Sequence, residues 1–389
     1  MESYIEICGN ENSCVGCAAC YNICKENAIS MEYNNEGFLY PVIDKSGCIN
    51  CRACSKVCPG NRQNEQRSEE KSYKKIAYQY SSKSEKTLEN SSSGGAFEAI
   101  AREVFSLGGV VFGAAFDEKF GARHIYISDS TQLFQIMRSK YVQSELGNTY
   151  AVVRQFLEEG RPVLFSGTPC QVAGLSLFLR KKYNNLYLVD FVCHGVPSSE
   201  VWKSFIEEKE REQGSTVTDV SFRDKRNGWK EFGTSIKFAN GEEYFEAHYV
   251  CAYMRAFLCD LILRRCCYHC LFKGENRYSD ITLADFWGCD KEYPEMFNAK
   301  GSSLLIVNSL KGQEVISKIE TSGFLCEVDM TRALLNNPAY YHSVGYNKKR
   351  DKFFKKYKNR KSISQYLQKS LIPDIPERIR RKINRLFAG

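Results

Sequence analysis

Apolar and polar positions fall into two kinds of block along the middle of the chain. Short apolar runs bounded by polar or turn residues predict strands: GVVFGAAF (109–116), PVLF (162–165), LYLVDFV (186–192), DITLADF (280–286) and LLIVNS (304–309). Longer segments between several of them carry helical spacing: AFEAIAREVFSL, NTYAVVRQFLEE, CQVAGLSLFLRK and SEVWKSFIEEKERE. Strand–helix alternation from Ile76 to about Ser343 predicts an α/β domain with a mostly parallel or mixed sheet. One hairpin interrupts it, GTSIKFANGEEYFE, with its turn at Asn240-Gly241. This stretch is long enough to bury a core of its own.

The two ends depart from that pattern. Residues 1–60 hold an internal repeat, CVGCAACYNIC from Cys14 and CINCRACSKVC from Cys48, each followed by a segment with little room for a core. A polar stretch, 61–75, reads as a linker. The expected organisation is therefore a 1–60 module of α+β ferredoxin-like type, the linker, an α/β body over 76–345 and a basic helical tail over 346–389. In that tail Asp374 can cap a helix with Glu377 three residues on, and Ile375, Ile379, Ile383 and Leu386 line one face opposite arginines. A solvated amphipathic helix docked on the body explains it. The sharper reading is a peripheral contact with anionic lipid, RNA or an acidic partner.

Composition narrows the class. The chain has 389 residues, 43% apolar and 26% charged, an ordinary globular mixture. No apolar run approaches the length that spans a bilayer, so no integral membrane segment is expected. MESYIEICGN lacks a basic head and an apolar stretch, which reads as a cytoplasmic protein without a secretory signal. The net charge of +8 is a property of one end. From Tyr346 onward fifteen Lys/Arg face three Asp/Glu, a net of +12, which leaves −4 for the rest. That distribution argues against nucleic-acid binding by the whole molecule.

Cysteine changes the picture most. There are eighteen, with nine in the first 58 residues and none between Cys58 and Cys170. In a reducing compartment such clustering points to metal sites. The spacing C-x2-C-x2-C-x3-C occurs twice: Cys14, Cys17, Cys20, Cys24, and Cys48, Cys51, Cys54, Cys58. Three close-set thiolates wrap one iron–sulfur cubane, and the fourth of each run reaches the neighbouring one. The predicted sets are Cys14, Cys17, Cys20 with Cys58, and Cys48, Cys51, Cys54 with Cys24. The runs resemble bacterial-type two-cluster ferredoxins. Cys58-Pro59 fits that pattern, whereas Cys24 is followed by Lys25. Two four-cysteine zinc sites are the alternative. Cys8 stands outside both runs and is read as a spare thiol.

In the body, Cys170 follows the strand PVLF and Cys193 follows LYLVDF, where a parallel sheet presents its carboxyl edge to ligands. Cys267 and Cys270 form a C-x2-C pair. Together these four would complete a third 4Fe-4S cluster, although a lone Cys170 or Cys193 equally suits a small buried apolar position. Cys251, Cys259, Cys266, Cys289 and Cys326 are read as structural, with Cys266 and Cys289 the substitutes should the ligand choice differ.

The body resembles the beta subunit of the coenzyme F-420 hydrogenase/dehydrogenase family. The carrying motifs are SSSGGAF (91–97), SKYVQS (139–144), SGTPCQVAGL (166–175), DFVCHGVPS (190–198), FRDKRNGW (222–229) and CYHCLFKGENRYSDITLADFWG (267–288). This resemblance implies a flavin, expected to be FAD, beside an iron–sulfur cluster at Cys170, Cys193, Cys267 and Cys270. It also directs attention to a cofactor pocket at Ser92, Ser93, Gly94 and Gly95, at Lys140, Tyr141, Gln143 and Ser144, and at Asp285 and Trp287. Glycines and first-turn N–H groups suit a diphosphate, although a linker before a capped helix has the same composition. Arg223, Asp224 and Lys225 read as a charged turn, either solvated or touching an anionic substrate. His194 is the candidate catalytic proton donor, against the simpler role of bonding backbone or tuning Cys193.

The expected function is an iron–sulfur flavoprotein oxidoreductase. Electrons would pass between a ferredoxin or hydrogenase-like partner, two 4Fe-4S clusters, a third cluster and FAD, which exchanges hydride with a small-molecule acceptor such as an F-420-like deazaflavin. The alternatives are an electron-transfer subunit serving a partner enzyme, and a zinc-dependent nucleic-acid-binding protein.

Overall fold

Left-handed residues recur at matching places in the two cysteine runs. Gly16 (φ 69°) and Ala18 (φ 55°) flank Cys17, and Asn50 (φ 56°) and Arg52 (φ 56°) flank Cys51. Each run thus curls in the same way before a short helix, Ala19–Ile23 in the first and Ala53–Lys56 in the second. The computed structural model describes residues 3–10, 12–61, 73–275 and 277–372. Between the runs, β1 (Ile29–Tyr33) and β2 (Leu39–Ile43) pair antiparallel, with Ile29 opposite Ile43. The N-terminal module is therefore a small α+β unit whose halves repeat, as the sequence repeat predicts.

The body is built on a mixed sheet. Its strands are β3 (Ile76–Ser82), β4 (Val110–Phe116), β5 (Ala122–Ile127), β6 (Ser144–Glu145), β7 (Val163–Ser166) and β8 (Leu186–Phe191). After them come β9 (Val217–Asp224), β10 (Gly233–Phe238), β11 (Glu243–Ala247), β12 (Ile281–Asp285), β13 (Ser303–Val307) and β14 (Gly323–Val328). Nine of these, among the described residues, form one sheet in the order β14-β3-β13-β12-β8-β7-β4-β5-β6. The centre is parallel, β12 to β8, β8 to β7 and β7 to β4; β14, β3, β13 and β12 pair antiparallel on one side, as do β4 and β5 on the other, and the short edge strand β6 runs parallel to β5. The expected hairpin is present, but β10 and β11 join β9 in a separate three-stranded sheet. Arg223 and Asp224 consequently end a strand, where the sequence pattern predicts a turn.

Central strands read as continuous apolar runs because both faces are covered. Val163, Leu164 and Phe165 in β7, and Leu304 to Val307 in β13, are fully buried. The helix Ala96–Ser106 turns Ile100, Ala101 and Val104 inward. The helix Pro169–Leu179 starts on a capping box in which Thr168 accepts from Gln171 N–H and Gln171 reaches back to the cap.

The N-terminal module is fastened to the body by polar clasps. Gln143 Oε1 accepts from Leu39 N–H at 3.1 Å, Ser198 Oγ donates to Glu36 C=O at 2.5 Å, and Asn22 Nδ2 donates to Gly147 C=O at 2.8 Å. The C-terminal lysine-rich stretch supplies another. Arg350, fully buried, pairs its guanidinium with Glu36 at 2.9 and 2.5 Å, and Arg265 joins the same carboxylate at 3.1 Å. Phe354 packs on Phe38 with ring centroids 6.0 Å apart. Burying a side chain such as Phe38 contributes about 1.5–3 kcal/mol. The start of the basic tail is thus core in the helices Arg350–Phe354 and Ile363–Leu371, whose Phe353, Phe354, Ile363 and Leu367 are buried. The amphipathic helix expected from Asp374 to Leu386 lies outside the described residues, as does linker segment 62–72.

The Glu36 clasp yields a stability prediction. Glu36→Ala leaves the buried Arg350 with only the half-exposed Asp351, 3.6 Å away, as a carboxylate partner, and is expected to cost about 2–4 kcal/mol. Anaerobic urea unfolding should show a lower midpoint than wild type, and an unchanged midpoint would mean that the pair does not hold the module.

Candidate functional site

The sheet's parallel centre explains where the body cysteines meet. β7 and β8 run side by side in the same direction, so the segments after them leave from one edge. Cys170 sits in the first turn of the helix Pro169–Leu179, with its Sγ 3.1 Å from the Thr168 hydroxyl. Cys193 follows β8. Cys266 and Cys267 lie on a single tight turn, Arg265–His269, and Cys270 closes it. All five line one cavity of about 480 Å³, together with His194, His269, Lys273 and Arg277. The expected set Cys170, Cys193, Cys267 and Cys270 is brought together, and Cys266, read from sequence as structural, joins it.

The first N-terminal set also converges. Cys14, Cys17, Cys20 and Cys58 line a second, smaller cavity, with Cys8 and Pro59 beside them. Cys8 and Cys14 are hydrogen-bonded thiol to thiol, which raises Cys8 and lowers Cys14 to about 6. Cys8 is therefore no isolated thiol. Cys48, Cys51 and Cys54 interact electrostatically with one another, and Cys51 is exposed. Cys24 is half-buried at the end of the helix Ala19–Ile23. Among the described residues, no three Cys, His, Asp or Glu side chains converge tightly enough to hold a single metal ion.

The first and third sets adjoin. Gly174, on the helix that carries Cys170, has no room for a Cβ: one would stand 2.8 Å from Cys17 Sγ and 2.9 Å from the Tyr150 hydroxyl. Burial takes Cys17 up to about 12, and Cys170 is close enough to add to that rise electrostatically. Burial likewise pushes up Cys20, Cys58 and Cys170, and takes Cys193 to about 12 against the opposing pull of Lys273 and Arg277. Without a cationic core these thiols stay protonated; an iron core supplies the charge that makes thiolates stable in a dry site.

The surroundings suit an anionic cluster. Val196 N–H donates to Cys267 Sγ at 3.4 Å. Arg264 reaches the Cys14 carbonyl at 2.9 Å and its Sγ at 3.4 Å. Nη1 of Arg264 and Nε and Nη2 of Arg277 are buried without hydrogen-bond partners. Unpartnered guanidinium N–H groups beside cysteines fit a sulfide-rich anion.

The residues expected at a flavin separate into two places. Arg223, buried at the end of β9, forks onto Asp285 at 3.0 and 3.2 Å, donates to the Ser92 carbonyl at 3.1 Å and to the Tyr141 hydroxyl at 3.4 Å. Its guanidinium also faces the Trp287 ring at 5.3 Å, and Trp287 stacks on Trp229 at 4.9 Å. Lys225 reaches the carbonyls of Ser93, at 3.4 Å, and Lys300, at 2.6 Å. Burial, with Arg223 and Arg138 nearby, lowers Lys225 to about 8. Lys140, lowered to about 7 by burial and then by Arg138, donates to the carbonyls of Gln135, at 3.1 Å, and Met137. Ser92, Ser93, Tyr141, Asp285 and Trp287 therefore share one cation-rich corner with Arg223 and Lys225.

Elsewhere the candidates have structural duties. Ser93 Oγ donates to the Ser302 carbonyl at 2.7 Å, and a Cβ on Gly94 would lie 2.3 Å from the Tyr80 carbonyl. Gly95 caps its helix at φ 88° without a side-chain bond. Gln143 is taken up by Leu39 in the N-terminal module. Ser144 hydrogen-bonds Nδ1 of His124 at 2.5 Å, while that ring's Nε2 donates to the Ser166 carbonyl at 3.0 Å. Burial holds His124 neutral, at about 4. His194 lies at the cavity wall with Nε2 2.8 Å from Asp260 Oδ1. Sequence reasoning missed Arg264, Lys273 and Arg277; a basic residue within seven positions of a C-x2-C pair was the available signal.

Paired cysteine sets held among buried cations define an iron–sulfur electron-transfer protein. Residues 13–61 match the 4Fe-4S dicluster domain, and residues 160–333 match the family of the C terminus of the coenzyme F420 hydrogenase/dehydrogenase beta subunit. The chain thus carries a segment that matches a dicluster domain, followed by one similar to the C terminus of the coenzyme F420 hydrogenase/dehydrogenase beta subunit. Among solved structures, a chain of the F420-reducing [NiFe] hydrogenase complex from Methanosarcina barkeri is similar at 15% identity and a TM-score of 0.46, over 74% of this chain and 92% of that one. No curated protein matches the sequence. No helix among the described residues is long and apolar enough to cross a membrane.

Cys267→Ser with Cys270→Ser should lower bound iron by about four atoms per chain, one cubane, and leave the N-terminal module loaded. Iron analysis after anaerobic purification reads this directly; an unchanged iron content would remove both residues from the ligand set.

Proposed function

We propose that the protein is an iron–sulfur flavoprotein oxidoreductase. It passes electrons between a redox partner protein and an organic hydride acceptor, with a deazaflavin of the F-420 type the acceptor that the family suggests. The carrying observation is a continuous series of sites. The Cys48, Cys51 and Cys54 thiols, which Cys24 would complete, include the exposed Cys51 and suit the partner. The set Cys14, Cys17, Cys20 and Cys58 is buried behind them and adjoins Cys170 through Cys17. Beyond the set of Cys170, Cys193, Cys267 and Cys270, His194 meets Phe257 edge-on at 5.0 Å, and Phe257 stacks on Tyr141 at 4.9 Å. Tyr141 belongs to the corner of Arg223, Asp285, Ser92 and Trp287.

That corner is the proposed flavin site. Arg138, Arg223 and Lys225 outnumber Asp285 and Glu89 there, an excess of positive charge that suits the diphosphate of FAD. Trp287 and Tyr141 offer ring faces. When bound, cubanes carry single electrons and a flavin collects two and exchanges them as hydride. The chain's part is to hold these groups in order, keep water from the interior and place His194 with Asp260 as a proton carrier beside the third set.

Anaerobic purification with metal, sulfide and flavin analysis tests the reading. About twelve irons and one flavin per chain are expected. Colourless, zinc-loaded protein that retains RNA would replace it with a nucleic-acid-binding role. Full iron with no flavin, and turnover only beside a co-purifying enzyme, would make the chain an electron-transfer subunit without a substrate of its own. Lys225→Ala should weaken flavin retention roughly tenfold to a hundredfold, the worth of one charge-assisted hydrogen bond, with iron unchanged.

A further inference from the structure

Arg264 occupies the seam between the first and third thiol sets. It is 1% exposed and, among the described residues, forms no ion pair with a carboxylate. Its Nε donates to the Cys14 carbonyl at 2.9 Å and Nη2 approaches Cys14 Sγ at 3.4 Å. The same cation interacts electrostatically with Cys266 and Cys267. Nη1 lacks a hydrogen-bond partner. It stands 3.0 Å from where a Cβ on Gly16 would be, so the glycine inside the first run makes the space. Tyr40 covers the guanidinium face at 4.0 Å.

We propose that Arg264 is the shared counter-cation of the first and third centres, a positioning residue that sets both reduction potentials together. The assignment rests on reading both sets as cubane ligands. A charge in a dry interior acts on its neighbours far more strongly than in water. Reduction adds one negative charge to a cubane, so a fixed cation beside it favours the reduced state. Arg264 touches Cys14 of the first set, and its carbonyl accepts from the N–H of Cys267 of the third at 3.0 Å, so one guanidinium within electrostatic reach of both lifts the two potentials in the same direction and leaves the Cys48, Cys51 and Cys54 centre as it was. Arginine suits the place because it stays protonated when buried and its fork can address two partners.

The test is potentiometric titration, followed by electron paramagnetic resonance, of the full chain prepared without oxygen. In Arg264→Met the first and third centres should shift to more negative potential while the second does not move, with iron content equal to wild type. Arg264→Lys should recover part of the shift by restoring a charge. Should Arg264→Met fail to fold or to retain iron, Arg264→Gln, which keeps a donor for the Cys14 carbonyl, takes its place with the same expected pattern. Full iron with all potentials unchanged overturns the assignment, as does an equal shift of all three centres or an absence of rescue by lysine. A wild type without three centres overturns the functional reading beneath it; a wild type with three whose potentials ignore Arg264 overturns this assignment alone.

Discussion

Charge compensation away from water governs this molecule. Sulfur atoms crowd together in its interior, and each prefers its neutral form unless positive charge comes close. The chain provides that charge in two ways. Its thiols are spaced to take up metal, and arginines enter the same dry regions, Arg277 paired with the buried Asp190 at 3.1 Å and Arg264 without a carboxylate partner among the described residues. Arg264 and Arg277 have N–H groups that no protein acceptor satisfies. Buried donors left open in this way are costly, and their concentration around cysteines is consistent with a fold shaped around anionic inorganic groups.

The α/β architecture serves that constraint. Parallel neighbours deliver the segments after β7 and β8 to one edge, and a tight turn from distant sequence brings Cys266, Cys267 and Cys270 to meet them. The helix that begins at Pro169 then does two jobs. Its first turn presents Cys170, and a glycine one turn later lets its backbone press against Cys17. Proximity of the two thiol sets is therefore a packing consequence of Gly174.

Much of this was legible from the amino-acid order because local patterns dictated it. The doubled cysteine spacing, the hairpin at Asn240-Gly241 and the strand runs before Cys170 and Cys193 are short-range signals, and each has its structural counterpart. What could not be read depends on long-range partners. FRDK looks like a solvated turn, yet β10 pairs with β9 and buries Arg223 against Asp285. Gln143 sits in a motif with Lys140 and Tyr141, yet its amide is drawn to Leu39, over a hundred residues earlier. Cys266 differs from Cys267 by one position, and only the cavity shows that both face it. The lysine-rich region was the least transparent, since its charge hid Phe353, Phe354 and Leu367.

That last region has a consequence for the order in which the molecule is assembled. Glu36 and Arg350 are 314 residues apart. A growing polypeptide folds from its leading portion, so the cysteine-rich module leaves the ribosome long before its clasp exists. Until Arg350 and Phe354 arrive, Glu36 and Phe38 of that module lack their partners. Arrival of the late aromatic and arginine residues then fastens the module, making assembly a sequence of events written into chain direction.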